Sequence, residues 1–218
     1  MTGSTGLTGS YETVVAELYR LPVNEQIFAV LAHDLAPTLH YHAVQHSRDV
    51  FEETVRFALH DQIDARKIEL LSIAAAYHDA GYMEQYADNE PIGAAMASRA
   101  MKQQGGYTQS EINEVSQMIL STQLKVTPEG GTRVELTPFA GYLMDADLGS
   151  FGREDFFEKC QQLIDETGAP PEALYQQAWR LISNHIWYTR AARELREAKR
   201  QQNLKELEIR LKSLSSSN

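Results

Sequence analysis

Apolar residues recur at three- and four-residue intervals along most of the chain, the spacing of helices that bury one face. The pattern predicts short amphipathic helices over Tyr11 to Arg20 and Asn24 to Leu35, punctuated by Pro22 and Pro37. A third helix is expected from about Ala43 to Leu59, with Val44, Val50, Phe51, Val55 and Ala58 turned inward. Asp64 reads as the N-cap of a helix running to Tyr77, and Gly81 marks its end. Glu90 to Gln104 forms the next, stopped by Gly105-Gly106, and Thr108-Gln-Ser-Glu111 is a capping box that opens another.

Between Thr127 and Thr137, Pro128, Gly130 and Gly131 allow a loop or at most a minor hairpin. Pro138 can start a helix carrying Tyr142, Leu143 and Asp147. Gly149 and Gly152 surround its exit, and Arg153 to Thr167 continue as helix. Pro170-Pro171 then open a long helix through Trp179 and Trp187 into a charged tail, where Leu204, Leu207, Leu211 and Leu214 make a stripe. There is no internal repeat and no convincing sheet. The expected fold is all-α, a compact helical bundle with a long C-terminal helix. It divides into a flexible Gly/Ser/Thr leader over 1–10, one helical domain over 11–189 and a charged helical extension over 190–218.

Composition adds limits. A chain of 218 residues, 43% hydrophobic, can bury one substantial core. Its longest apolar-rich stretch, Leu70 to Tyr77, is far below the roughly 20 residues that span a bilayer, and the leader has neither the basic residues nor the apolar run of a targeting signal. Cys160 is the only cysteine, so no internal disulfide forms, which fits a cytoplasmic protein; its expected role is a small buried side chain. The net charge of −10 argues against general nucleic-acid binding. From Tyr188 onward eight Lys/Arg face four Asp/Glu, a local +4 that leaves −14 on the rest.

Three segments carry chemistry. In Tyr41-His42-Ala-Val-Gln-His46, the two histidines are four apart and share one helical face, a spacing that is common by chance. Ala74-Ala-Ala-Tyr-His78-Asp79 sets an imidazole beside a carboxylate at the end of an apolar helix, where both can converge on one ion or simply bond to each other. Gly141-Tyr-Leu-Met-Asp145-Ala146-Asp147-Leu148 holds two carboxylates that cannot share a helical face. At most one is expected to reach the same ion, the other serving as a cap or acceptor.

The order of these pieces, a histidine, a His-Asp pair and a distant Asp, resembles the HD superfamily of metal-dependent phosphohydrolases over Tyr41 to Gly152 and, more loosely, Trp179 to Leu207. The stretch Asp88-Asn89-Glu90 is similar to its bacterial branch of predicted HD phosphohydrolases. The resemblance implies an HD-type bundle in which His46, His78, Asp79 and Asp147 hold a divalent metal ion (Mn, Mg, Co, Ni, Fe or Zn). Asp147 is preferred over Asp145 because Ala146-Asp147-Leu148 resembles the ligand motif of related cyclic-nucleotide phosphodiesterases, and His42 takes the place of their general acid. With no histidine between Asp79 and Asp147, one ion is expected rather than two.

The implied reaction is hydrolysis of a small phosphorylated metabolite or nucleotide, with Asp79 orienting the attacking water. Lys125, Arg153, His185 and Glu90 are candidate substrate contacts, with Arg190 near His185; each has a plainer reading as surface charge, helix-terminal acid or packing. His33, His40 and His60 lack partners at telling spacing. Two other readings stay open: a metal-binding regulatory or interaction module that pairs with a partner or a second copy through its C-terminal helix, and an iron-dependent oxygenase, whose sites carry more histidines than this chain offers.

Overall fold

In a computed structural model the structure describes residues 9–123, 125–126, 132–133 and 137–215. Among the described residues ten α-helices follow in chain order: α1 (Tyr11–Tyr19), α2 (Pro22–Asp34), α3 (Val44–His60), α4 (Ala65–Tyr77), α5 (Glu90–Gln104), α6 (Gln109–Leu120), α7 (Ala140–Asp147), α8 (Phe156–Thr167), α9 (Pro171–Asn184) and α10 (Arg190–Ser215). Short 3-10 turns follow α4 at Ala80–Met83 and α7 at Gly149–Gly152. The protein is all-α as expected, its sole extended pairing among the described residues being a two-residue antiparallel ladder, Lys125–Val126 against Thr132–Arg133. The leader over 1–8 and most of the Thr127 to Thr137 segment lie outside the described residues.

Several helix starts obey local chemistry. The Asp64 carboxylate accepts from Lys67 N at 3.0 Å and opens α4. Thr108 and Glu111 close the predicted capping box on α6. Pro22 and Pro171 stand at the first positions of α2 and α9, where a missing N–H costs nothing.

Helix α4 is the centre of the molecule. From Leu70 to Tyr77 it is buried on every side, which is why its sequence is apolar around the whole circumference rather than along one stripe. Helices α2, α3, α5, α6 and α7 pack round it, and Phe51, Phe57, Leu71 and Ile73 are fully enclosed. Two polar links cross this core: Asn24 Nδ2 donates to Leu18 O and Ser72 Oγ, and Tyr77 Oη donates to Val23 O. Among the described residues no helix is long and apolar enough to cross a membrane.

The C-terminal half departs from the expected continuous helix. The chain breaks after Asn184 and runs non-helically to Thr189 before α10 begins. Three donors to Asp145 fix the break: Tyr188 N (3.0 Å), Thr189 N (2.8 Å) and Thr189 Oγ1 (2.7 Å). Thr189 Oγ1 in turn accepts from Ala192 N, capping α10. Trp187, expected on a helix, is buried in this break and donates to Glu197; Trp179 stays partly exposed. Helix α10 then lies along the body, with Arg196 paired to Glu53 and Asn203 Nδ2 donating to the carbonyls of Phe151 and Arg153. Its leucine stripe faces the core, since Leu207 is fully buried and Leu204 and Leu211 pack against it. Similarly, Arg153 to Asp155 form a turn, and α8 starts only at Phe156.

Glu111 links α6 to α4. Its carboxylate accepts from Arg66 Nε at 2.7 Å, and that hydrogen bond lowers its pKa to about 2 despite some burial. The folded pKa is depressed, so the contribution is present above the unfolded value and is lost as pH falls through the folded one. Glu111→Gln keeps a capping oxygen but removes the charge. It is expected to destabilise the fold at pH 7 by about 0.5–1 kcal/mol, with the difference closing between pH 4.5 and 2; thermal melts across that range measure it.

Candidate metal centre

Three chain segments bring four metal-type side chains together. His46 lies in the first turn of α3, His78 caps the C-terminus of α4, Asp79 follows at the entry to the 3-10 turn, and Asp147 is the last residue of α7. His46 Nε2 is 3.1 Å from Asp147 Oδ1 and 3.4 Å from Asp79 Oδ2. His78 Nε2 is 3.2 Å from Asp79 Oδ2 and 3.6 Å from Asp147 Oδ1. Among the described residues, the group whose donor atoms all lie within 4.8 Å of one another is His46, His78 and Asp79, with Asp147 at its side.

The donors fit a divalent ion. Adjacent ligands held at roughly 2.1 Å from one ion stand about 3 Å apart, close to the observed spacings. His78 Nδ1 donates to Ala75 O at 2.8 Å, which fixes the tautomer and leaves Nε2 with a free lone pair. Yet His78 Nε2 and Asp79 Oδ2 are buried, and among the described residues neither has an aligned hydrogen-bond partner. Two orphaned donors facing each other in a closed site are chemically incomplete without a cation or proton.

Electrostatics points the same way. Burial pushes Asp147 upward, but hydrogen bonding from His46 and the proximity of His78 outweigh it and hold the carboxyl well below the usual range. Asp79 is likewise lowered, its neighbouring imidazoles overcoming burial. Burial opposes charge on His78, while Asp79 and Asp147 more than reverse that and raise its pKa well above the ordinary value. The pocket favours positive charge at its centre.

Two glycines allow this convergence. A Cβ on Gly93 would stand 2.4 Å from Tyr77 O and 3.2 Å from His78 O, so α5 crosses directly against the end of α4. A Cβ on Gly81 would meet Asn89 O at 2.0 Å. Both collisions are with backbone, which has no rotamer with which to yield.

His42 precedes α3, which begins at Val44, so it does not share the helical face expected with His46, and it sits outside the four-residue group. Its Nδ1 lies 2.5 Å from Glu166 Oε1, while Glu166 Oε2 accepts from the backbone N–H of both Tyr41 and His42. Tyr86 Oη also donates to Glu166, and the Tyr82 ring stacks on His42 with centroids 4.2 Å apart. Burial raises the Glu166 pKa, but these donors, His42 foremost, bring it down to about 2. The ring is therefore held by Nδ1, leaving Nε2 as the nitrogen available to a ligand.

Glu166 was not among the expected site residues. Its signal was a carboxylate in the last turn of a helix ended by Gly168, where the dipole disfavours negative charge and a partner is needed.

The remaining candidates are scattered. Glu90 opens α5 with Oε2 buried and unpartnered among the described residues; burial raises its pKa, reinforced by Asp79, Asp88 and Asp147. Arg153 pairs with Asp49 and Asp155. His185 is packed between Phe151 and Trp187, and burial lowers its pKa to about 4. Arg190 pairs with Asp61. The side chain of Lys125 is outside the described residues. Asp145 faces the α9–α10 break, away from the group that Asp147 joins.

No protein-family model, curated protein or solved structure matches this chain, so the site stands on its geometry.

The glycine contact gives a direct check. Gly93→Ala is expected to force α5 off the end of α4, costing about 1–3 kcal/mol and displacing His78. Thermal unfolding should show the loss of stability, and calorimetric titration with Mn²⁺ a weakened site; unchanged values in both would show that the crossing has slack.

Proposed function

We propose that this protein is a metal-dependent phosphohydrolase of the HD kind, hydrolysing a phosphomonoester or nucleotide phosphate with one divalent ion. The observation that carries this reading is the pair of buried, unpartnered donors, His78 Nε2 and Asp79 Oδ2, with His46 and Asp147 completing a mixed nitrogen and oxygen set. Such a set suits borderline and hard divalent ions alike. A divalent ion held there supplies a Lewis acid for the phosphoryl group and makes a neighbouring water more acidic.

The chain's own groups divide the remaining work. Asp79, held ionised by its imidazole neighbours, orients the attacking water and accepts its proton. The phosphorus–oxygen bond to the alcohol breaks as water adds to phosphorus. His42 donates a proton from Nε2 to the departing alkoxide, giving an alcohol and inorganic phosphate. Glu166 acts through His42 as a positioning residue, fixing the ring by Nδ1 and anchoring the backbone of its turn. Tyr82 limits the ring's tilt from the other side.

Replacing His78 or Asp79 by Ala is expected to reduce metal content from one ion per chain to background and turnover by at least about 100-fold. Unchanged metal and turnover would overturn the reading, and metal retained by the unaltered protein with no phosphoester hydrolysed would reduce the site to a binding module.

Glu166→Gln and His42→Ala are expected to lower kcat by roughly 100-fold with KM little changed. The loss should be larger for alkyl phosphates, whose leaving group needs a proton, than for nitrophenyl phosphate, whose leaving group does not. Equal losses on both would assign the pair a structural role only.

A further inference from the structure

A cavity of about 410 Å³ opens beside the metal group, bounded by the Tyr41–His42 turn, the 3-10 turn after α7, and helices α8 and α9. Its size falls in the range of small-molecule sites. Asp147 and His42 are among its lining residues. Much of the remaining wall is carbon, with Phe151, Phe156, Leu163, Leu174, Ala178 and Leu181.

The polar groups on the wall are already engaged within the protein. Lys159 Nζ is 3.1 Å from Asp49, Thr167 Oγ1 donates to Leu163 O at 2.6 Å, and Tyr86 Oη donates to Glu166 at 2.9 Å. Tyr41 interacts with Ser150. Cys160, its thiol pushed up to about 12 by burial, is uncharged. The amide of Gln177 is left over, and it stands at the solvent-exposed rim. A nucleobase or sugar entering here would exchange its water contacts for apolar surface, leaving its edges unpaired. A hydrocarbon body would lose nothing polar and would gain the burial of its own surface.

Building on the hydrolase reading above, we propose that the substrate is the phosphomonoester of an apolar alcohol. Its carbon body fills the cavity between α8 and α9, and its phosphoryl group lies beside Asp147 and His42. Specificity then resides in α8 and α9, while the chemistry resides in α3, α4 and α7. The overall change is the hydrolysis already written: water adds to phosphorus, the alkoxide leaves and is protonated, and an apolar alcohol and inorganic phosphate are released.

The test uses the full chain and two series of probes. Non-hydrolysable n-alkyl phosphonates from two to ten carbons are titrated calorimetrically into the Mn²⁺-loaded and the metal-free protein, with adenosine monophosphate and glucose 6-phosphate as polar competitors. Turnover is measured in parallel on the matching n-alkyl phosphates. Affinity is expected to tighten on the order of threefold to fourfold per methylene over several methylenes and then level off, with both polar competitors weak. Ala178→Trp fills the cavity and is expected to abolish the dependence on chain length, its melting temperature and Mn²⁺ content serving as checks on folding. Should that variant unfold, the series on the unaltered protein still decides.

Chain-length-dependent binding without turnover of any phosphoester would uphold the apolar site and overturn the hydrolase reading. Turnover that ignores chain length, or favours the nucleotide or the sugar phosphate, would overturn the apolar site and keep the hydrolase. Absence of both binding and turnover would overturn both.

Discussion

Two carboxylates and two imidazoles are enclosed where α3 begins and where α4 and α7 end, and the rest of the structure is arranged so that they can meet. Charges taken out of water need compensation at close range. Here each carboxylate is answered by both rings, and each ring by both carboxylates. His78 Nε2 and Asp79 Oδ2 meet at 3.2 Å, buried and without an aligned hydrogen bond among the described residues. A proton or a cation between them would complete the pair.

Helix α7 divides its acids by direction. Asp147 looks toward the two histidines, and Asp145, two residues earlier, looks toward the break between α9 and α10. One short helix thereby ties the reactive group to the C-terminal quarter of the chain. The same logic explains Gly152, where a Cβ would stand 2.5 Å from Arg196 O, so α10 can press directly against the turn that follows Asp147. The position of that carboxylate depends on contacts made some forty to fifty residues downstream. On the other side, Glu166 at the end of α8 reaches back to His42, so the C-terminal helices hold the site from two directions.

Much of this was legible in the sequence because it is local. Helix starts at Asp64, Thr108 and Pro171 obey capping and proline rules that operate within four residues, and the apolar spacing carried the all-α class. His46, His78, Asp79 and Asp147 could be named as one set only because their order resembles that of a known family, and nothing local says that they touch. What escaped were decisions taken at long range. Residues Asn184 to Thr189 are weak helix formers, and the break there is held by Asp145, which accepts from two backbone N–H groups and a hydroxyl. Glu166 is separated from His42 by 124 positions, and only its unfavourable place at a helix end hinted that it had a partner. The leucine stripe of α10 suggested an outward seam, yet the body supplies the surface that covers it. Periodicity tells that a face is buried and not by what.

The tie of α7 to Tyr188 and Thr189 through Asp145 also bears on how the protein comes into being. Chains emerge from the ribosome N-terminus first, and a growing chain displays His46, His78, Asp79 and Asp147 well before the segment that receives Asp145. Until that segment arrives, α7 has its packing on α3 and α4 but lacks this brace. Full bracing of α7 is therefore a late event in biosynthesis, and an interrupted translation product ending before Tyr188 would contain every donor and lack this one tie.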